Sequence, residues 1–325
     1  MATSGTIGTT LIKTASVLER AVRRCGLPPT AITAETASIA LEDLFTLLMS
    51  ISSRGLNLWC VDKQLIALIE GQASYDLPSG SLEVLNLLHA SPQRVSGTDT
   101  SSPTLYQTEL DDSTTVVRVG IKFSVAQSVP FTIQSSTNGI VWTTHRTVAI
   151  APAVGVWGWY DLDPGPTATF FRIAAAALST VDDFYLATST REIEITAFNR
   201  DDYANQPDKT VRSAISNNYF FEKLVTPRIT LWPVPNDDTR HLVPFRYRQV
   251  QDVGALANEL ELPTRWFEAI IWHLALRLAF DLPGVTADRR TEIMQMASSM
   301  TFEVEGSETD SAPVYFVPRI GVYNK

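Results

Sequence analysis

The chain has 325 residues, 45% apolar, 19% charged and 9% aromatic, and its 26 basic and 35 acidic residues give a formal charge of −9. At roughly 100–200 residues per domain this length excludes a single small module, and the apolar share excludes disorder throughout. A charged fraction below the usual quarter or so, beside seven Trp, predicts that part of the surface meets another protein.

Residues 1–10 are small and polar, with no basic stretch leading into an apolar core, so no secretory signal is expected. No window of about 18 uninterrupted apolar residues predicts a membrane span. A helix is predicted over 11–25, stopped by Gly26-Leu27-Pro28-Pro29, and a second begins at Thr33, an N-cap residue. The second places Ala37, Leu41, Leu44, Leu48 and Ile51 on one face and ends at Gly55. Strands over 65–70 and 74–77 are expected to pair, with Pro78-Ser79-Gly80 as the exit.

From 91 to 188 the composition changes: 13 charged residues in 98 and no Cys, against 48 charged in the other 227. Val117, Val119, Ile121, Phe123 and Val125 alternate with polar or small residues, the period of a strand with one buried face. Phe131, Ile133 and Ser135 repeat it before Thr137-Asn138-Gly139, a hairpin-turn signal. Further strands are expected to open at 140 and to cover 146–150, 156–162, 169–174 and 184–187. Six or so strands in this span imply an antiparallel β-sandwich. Beyond it the pattern predicts an extended 191–197, a short helix at 199–203, and strands 228–232 and 242–250 around the Pro233-Val234-Pro235-Asn236 turn.

Helices at 263–280 and 287–302 follow. The first is apolar nearly all round, with Ile270, Ile271, Leu274 and Leu278 on one side and Trp272, Leu276 and Phe280 on the other. Such a helix should be buried nearly all round. A neighbouring subunit could supply the second cover, through Trp266, Trp272, Leu276 and Phe280; so could the chain's own sandwich and helices. After Glu303 a polar linker leads to an apolar tail, 314–323, of the kind that docks on a partner as an added strand or in a groove, unless it packs on its own subunit.

Catalytic constellations are missing. There is no phosphate loop, nucleophile elbow, His-Glu-x-x-His or Cys-x-x-Cys, so no enzyme, metal or cofactor is expected. Cys25 and Cys60 lack metal spacing and read as reduced structural thiols. His89, His145, His241 and His273 occur singly. The doublets Asp111-Asp112, Asp182-Asp183, Asp201-Asp202 and Asp237-Asp238 read as turn chemistry rather than acid–base pairs or calcium ligands. Trp142, Trp157, Trp159 and Tyr160 could fill the space between two sheets, form a protein interface, or stack on a sugar.

Outside the sandwich, Ser53-Arg54-Gly55-Leu56-Asn57-Leu58-Trp59, Gly71-Gln72-Ala73-Ser74-Tyr75-Asp76-Leu77-Pro78, Phe198-Asn199-Arg200-Asp201-Asp202-Tyr203 and Ile229-Thr230-Leu231-Trp232-Pro233-Val234-Pro235 occur in that order. Together they resemble the head-to-tail adaptor (connector) proteins of short-tailed bacteriophages. The stretch from Phe131 to Thr144, with 157–162 and Phe171-Arg172-Ile173, resembles a discoidin or carbohydrate-binding-module jelly roll. The expected architecture is therefore α+β: a mainly helical adaptor body over 1–90 and 189–304, a β-sandwich insert at 91–188, and a docking tail at 305–325.

The resemblance implies a structural protein of the virion neck, assembled in the host cytoplasm as a homo-oligomeric ring, twelve subunits in that family. The ring would join the portal protein to a tail tube or nozzle protein and help retain packaged double-stranded DNA. The tail would reach the portal through Tyr315, Phe316, Ile320 and Tyr323. A charge of −9 argues that DNA passes through the lumen without tight binding, because gripping phosphates needs clustered Lys and Arg. Arg20, Arg23 and Arg24 read as a solvated helix end or a portal contact. The alternative function is a sugar-binding sandwich with helical appendages, accessory to a glycan-degrading enzyme or to host adsorption.

Overall fold

The computed structural model describes residues 12–28, 30, 32–54, 58–251 and 254–307. Strands hold 39% of the chain and helices 27%, which corrects the expectation of a mainly helical body. Two compact units result, one formed by residues up to Cys60 together with those from Gln249 onward, the other by Val61–Arg248.

The first unit is helical: α1 (Thr14–Arg24), α2 (Ala34–Arg54) and, from the far end of the chain, α4 (Phe267–Asp281) and α5 (Ala287–Ser307), with α3 (Arg200–Ala204) lying in the other unit. Thr33 Oγ1 accepts from the Thr36 amide, capping α2 as its position suggested. Gly26 takes a positive φ of 83° and ends α1. Helix α4 packs against α1, α2 and α5. These three helices of its own chain cover most of both apolar sides, Phe280 remaining exposed.

The second unit is β. In chain order its strands are β1 (Val61–Lys63), β2 (Ile66–Ala67), β3 (Ser74–Asp76), β4 (Ser81–Val95), β5 (Thr98–Ser102), β6 (Leu105–Thr115), β7 (Arg118–Phe123), β8 (Phe131–Ser136) and β9 (Thr143–Val148). Then come β10 (Gly158–Asp161), β11 (Thr167–Ala175), β12 (Val181–Glu194), β13 (Thr196–Phe198), β14 (Arg212–Ser213), β15 (Asn218–Glu222), β16 (Arg228–Trp232), β17 (Val234–Pro235) and β18 (His241–Arg248). A seven-stranded sheet runs β1-β18-β4-β12-β7-β10, with β2 also on β18, and a five-stranded sheet runs β5-β6-β11-β8-β9. Val119, Ile121, Phe123, Phe184 and Leu186 of the first meet Phe131, Ile133, Phe171 and Ile173 of the second in one core. This is the sandwich. A four-stranded sheet, β13-β15-β16-β3, closes a further core around Leu77, Leu87, Ile229 and Leu231.

The sandwich does not begin at 91 or end at 188. Strands β4 and β12 run through both positions and pair across them, Ser91 with Arg191 and Ala90 with Glu192, while β18 pairs with the other edge of β4. The fall in charge tracks the sandwich core, but the backbone ladder continues past it. Strands 65–70 and 74–77 do not pair: β2 joins β18 and β3 joins β16. Nor do β16 and β18 pair, since they lie in different sheets.

Candidate functional site

At β7 the seven-stranded sheet is buried on both faces, and the second face carries a cluster of aromatic and charged side chains. On β7 the odd residues face the sandwich core while Arg118 and Gly120 face the other way. Gly120 lies opposite Trp159 and Tyr185 in the ladder. A Cβ at Gly120 would stand 2.7 Å from Trp159 Cζ3, so the missing side chain is what admits the indole. Trp157 and Trp159 stack at 5.4 Å, Tyr185 meets Trp159 edge-on at 5.2 Å, and His241 stacks on Trp159 at 4.6 Å.

Beside this cluster Arg118, 4% exposed, donates to Asp161, to Glu192 at 3.1 Å and to His241 Nε2 at 2.6 Å. A guanidinium only donates, so Nε2 must accept and the ring is neutral with its proton on Nδ1. Burial, and then the adjacent Arg118 charge, accordingly hold the His241 pKa down to about 3. His89, on neighbouring β4, is lowered to about 4 by burial and then by Arg240. Burial alone would raise the Asp161 carboxyl, but hydrogen bonds from Lys63 and Arg118 outweigh it and hold it below the ordinary range. The Lys63–Asp161 pair, at 2.8 Å, ties β1 to β10, the two ends of the sheet path.

At that junction opens a cleft of about 330 Å³ lined by Lys63, Gln64, Arg146, Trp159, Tyr160 and Asp161. The Arg146 guanidinium lies 5.2 Å over the Tyr160 ring. Trp159 Nε1 is buried without a hydrogen-bond partner among the described residues.

The residues singled out from sequence are only partly brought together. Trp157 and Trp159 share a face, but each is 5% exposed, so neither offers a free ring to a sugar. Tyr160 points the opposite way and meets Phe131 in the sandwich core. Trp142 lies in the β8–β9 connection rather than on a strand, half-buried beneath Arg172 at 3.8 Å, and belongs to no shared aromatic face. In the helical unit Trp266 and Trp272 are buried within their own chain and Leu276 is half-buried, leaving Phe280 exposed. Tyr315, Phe316, Ile320 and Tyr323 lie outside the described residues, as does Gly55-Leu56-Asn57.

The Asp doublets divide. Asn199 and Asp202 form the capping box of α3, and Asp237 accepts from Thr239, as turn chemistry requires. Asp111-Asp112 and Asp182-Asp183 instead lie within β6 and β12, and Asp183 and Asp238 pair with Arg94 and Lys122. Sequence reading missed the Arg118–His241–Asp161–Glu192 network. The available signal was a charged residue in step with Gly120 on an alternating strand. Among the described residues no group of three His, Cys, Asp or Glu could hold a metal ion, and no helix is long and apolar enough to cross a membrane.

No family model and no curated protein matches the chain. Solved structures do match part of it. CBM32-1 from a family 31 glycoside hydrolase of Clostridium perfringens is 15% identical over 40% of this chain and 93% of its own, with a TM-score of 0.21. The family 32 carbohydrate-binding module of Streptococcus pneumoniae EndoD is 12% identical over 38% and 99%, at 0.24. A chitosan-binding module from a Paenibacillus sp. IK-5 chitosanase/glucanase is 19% identical over 36% and 99%, at 0.21. The β-sandwich rests on the sheets and core described above; at these identities and scores no ligand comes with the likeness. None of the three is a phage adaptor.

Proposed function

We propose that the chain is a structural assembly subunit that holds copies of itself and other proteins together and does no chemistry of its own. The observation that carries this reading is an apolar ridge on the helical unit. Met294, Ser298 and Phe302 succeed one another at four-residue spacing on α5, in line with Arg290, whose guanidinium lies 5.6 Å over Phe280. Phe280, Met294 and Phe302 are 68%, 52% and 81% exposed. Three large apolar side chains this exposed on one side of the helical pair are costly in water and favour a protein contact there. The resemblance of the flanking motifs gives the finer form: a head-to-tail adaptor ring in a phage neck, between portal and tail. Sedimentation velocity and negative-stain images of the purified chain test it. Closed oligomers with radial symmetry are expected, and a monomer at about 100 µM refutes it.

A second reading, sugar binding, is favoured by the cleft at Lys63 and Arg146, where aromatic edges adjoin charged and amide groups and a buried indole N–H has no partner. Titration calorimetry with a panel of neutral and acidic oligosaccharides decides it. Binding that falls at least about tenfold in Arg146→Ala supports it, and a panel without a binder refutes it.

A further inference from the structure

Among the described residues of this acidic chain lies a strongly basic recess. Arg20, Arg23 and Arg24 of α1 are joined by Arg289, the start of α5, around a cleft of about 300 Å³ whose remaining lining residue is Glu268. Arg24 pairs with Glu268 at 3.2 Å and lies 4.6 Å over Trp272, and Arg289 donates to the Arg24 carbonyl at 2.8 Å and pairs with Glu292. These two are held in place. Arg20 and Arg23 are exposed and make no ion pair among the described residues, so four guanidiniums converge on a recess with one lining carboxylate.

The complementary surface lies at the other end of the same helix. Glu303 and Glu305 are exposed, flank the apolar ridge at Phe302, and make no ion pair among the described residues. Helix α5 thus carries Arg289 and Arg290 at its start and two carboxylates near its end, with no basic residue in its last turn. Apart from Asp288 in the first turn, that order opposes the helix dipole. From 289 to 305 a helix rises about 24 Å, which keeps a chain's acidic end away from its own arginines. A second copy can bring the two together.

We infer that the Arg20–Arg23–Arg24–Arg289 cleft receives the Phe302–Glu303–Glu305 end of α5 from a second copy of this chain. Unlike patches then meet at every junction, the head-to-tail kind of contact that builds rings or filaments. The inference rests on the assembly reading and adds the surfaces that carry it.

Sedimentation velocity of the full chain tests it, with circular dichroism to verify that the surface variants fold. Arg20→Glu/Arg23→Glu and, separately, Glu303→Arg/Glu305→Arg are each expected to weaken self-association at least about tenfold, and an equimolar mixture of the two to recover it, because each supplies the patch the other has reversed. Raising salt should weaken the unmodified chain's association. Variants that associate like the unmodified chain, or a mixture that stays dissociated, overturn the contact while leaving assembly standing. An unmodified chain that is monomeric throughout overturns both. If Arg20→Glu/Arg23→Glu abolishes binding of a duplex DNA oligonucleotide but leaves self-association intact, the cleft serves phosphate and the inference falls.

Discussion

Gly120→Ala probes whether Trp159 is locked in place. The new methyl would stand 2.7, 2.9 and 3.0 Å from three carbons of the indole, the first two closer than real Cβ contacts allow and the third unusually tight. Trp157, Tyr185 and His241 resist its retreat, lying against it at centroid distances of 5.4, 5.2 and 4.6 Å. Overpacking of this kind costs about 1–3 kcal/mol. Alanine returns up to about 1 kcal/mol of backbone entropy that glycine spends in a strand. The net loss should be about 1–2 kcal/mol, read as a lower urea midpoint at unchanged slope with indole fluorescence as the probe. In a Trp159→Leu background the obstructing carbons are gone, and the same substitution should cost at least about 1 kcal/mol less. A neutral Gly120→Ala, or an equal cost in both backgrounds, would show that the indole can move and that the aromatic face is soft.

Acidification is a second probe. His89 and His241 stay neutral in the folded β unit down to about 4 and 3, whereas the unfolded chain protonates them below about 6.5. Stability should therefore fall as pH drops through that window, by up to about 2.7 kcal/mol per pH unit, or about 3–4 kcal/mol between pH 6.5 and 5. Urea midpoints flat over that range would refute the buried neutral rings. Arg118→Leu removes a shared partner of Asp161, Glu192 and His241, and should cost about 1–3 kcal/mol through the lost charged hydrogen bonds, Asp161 keeping Lys63; a loss under about 0.5 kcal/mol argues that water already serves those groups. Burial pushes the Cys25 thiol up to about 11, against a smaller pull from Arg289, so Cys25 should resist a disulfide reagent at pH 8 until denaturant is added; its modification in the native state would contradict the packing.

Helices and the alternating strands were legible because their signals are local. Thr33 caps α2, Gly26 ends α1, and β7 alternates as one buried face demands. The polar strands were not. Every residue of β5 is exposed, and β6 sets Thr108 inward beside Leu110, so no apolar period marks them. The candidate site failed for a related reason. Alternation on β7 reads as one buried face and one wet one, yet β7 is covered on both, so Arg118 looked solvated where it is buried. Strand partners were also out of reach, since the pairing of β16 with β3 joins residues about 150 apart and depends on the whole fold. The apolar girth of α4 was read correctly as burial; the identity of what buries it lies in α1, α2 and α5, which no single segment reveals.

The helical unit is made from both ends of the chain. Thr14 bonds the Asn258 carbonyl across 244 positions, and the Cys25 thiol donates to the Ala275 carbonyl across 250. On a ribosome adding roughly 5–20 residues per second, α1 and α2 emerge about 10–50 s before the helix that covers them. Throughout that interval Val17, Leu18, Leu44 and Leu48, all buried at the end, have no α4 to meet. The β unit, contiguous from Val61 to Arg248, can complete its sheets first. Synthesis thus leaves two sticky helices waiting at the front of the chain, and slowed elongation between 61 and 248 should raise their demand for chaperones more than a comparable delay later.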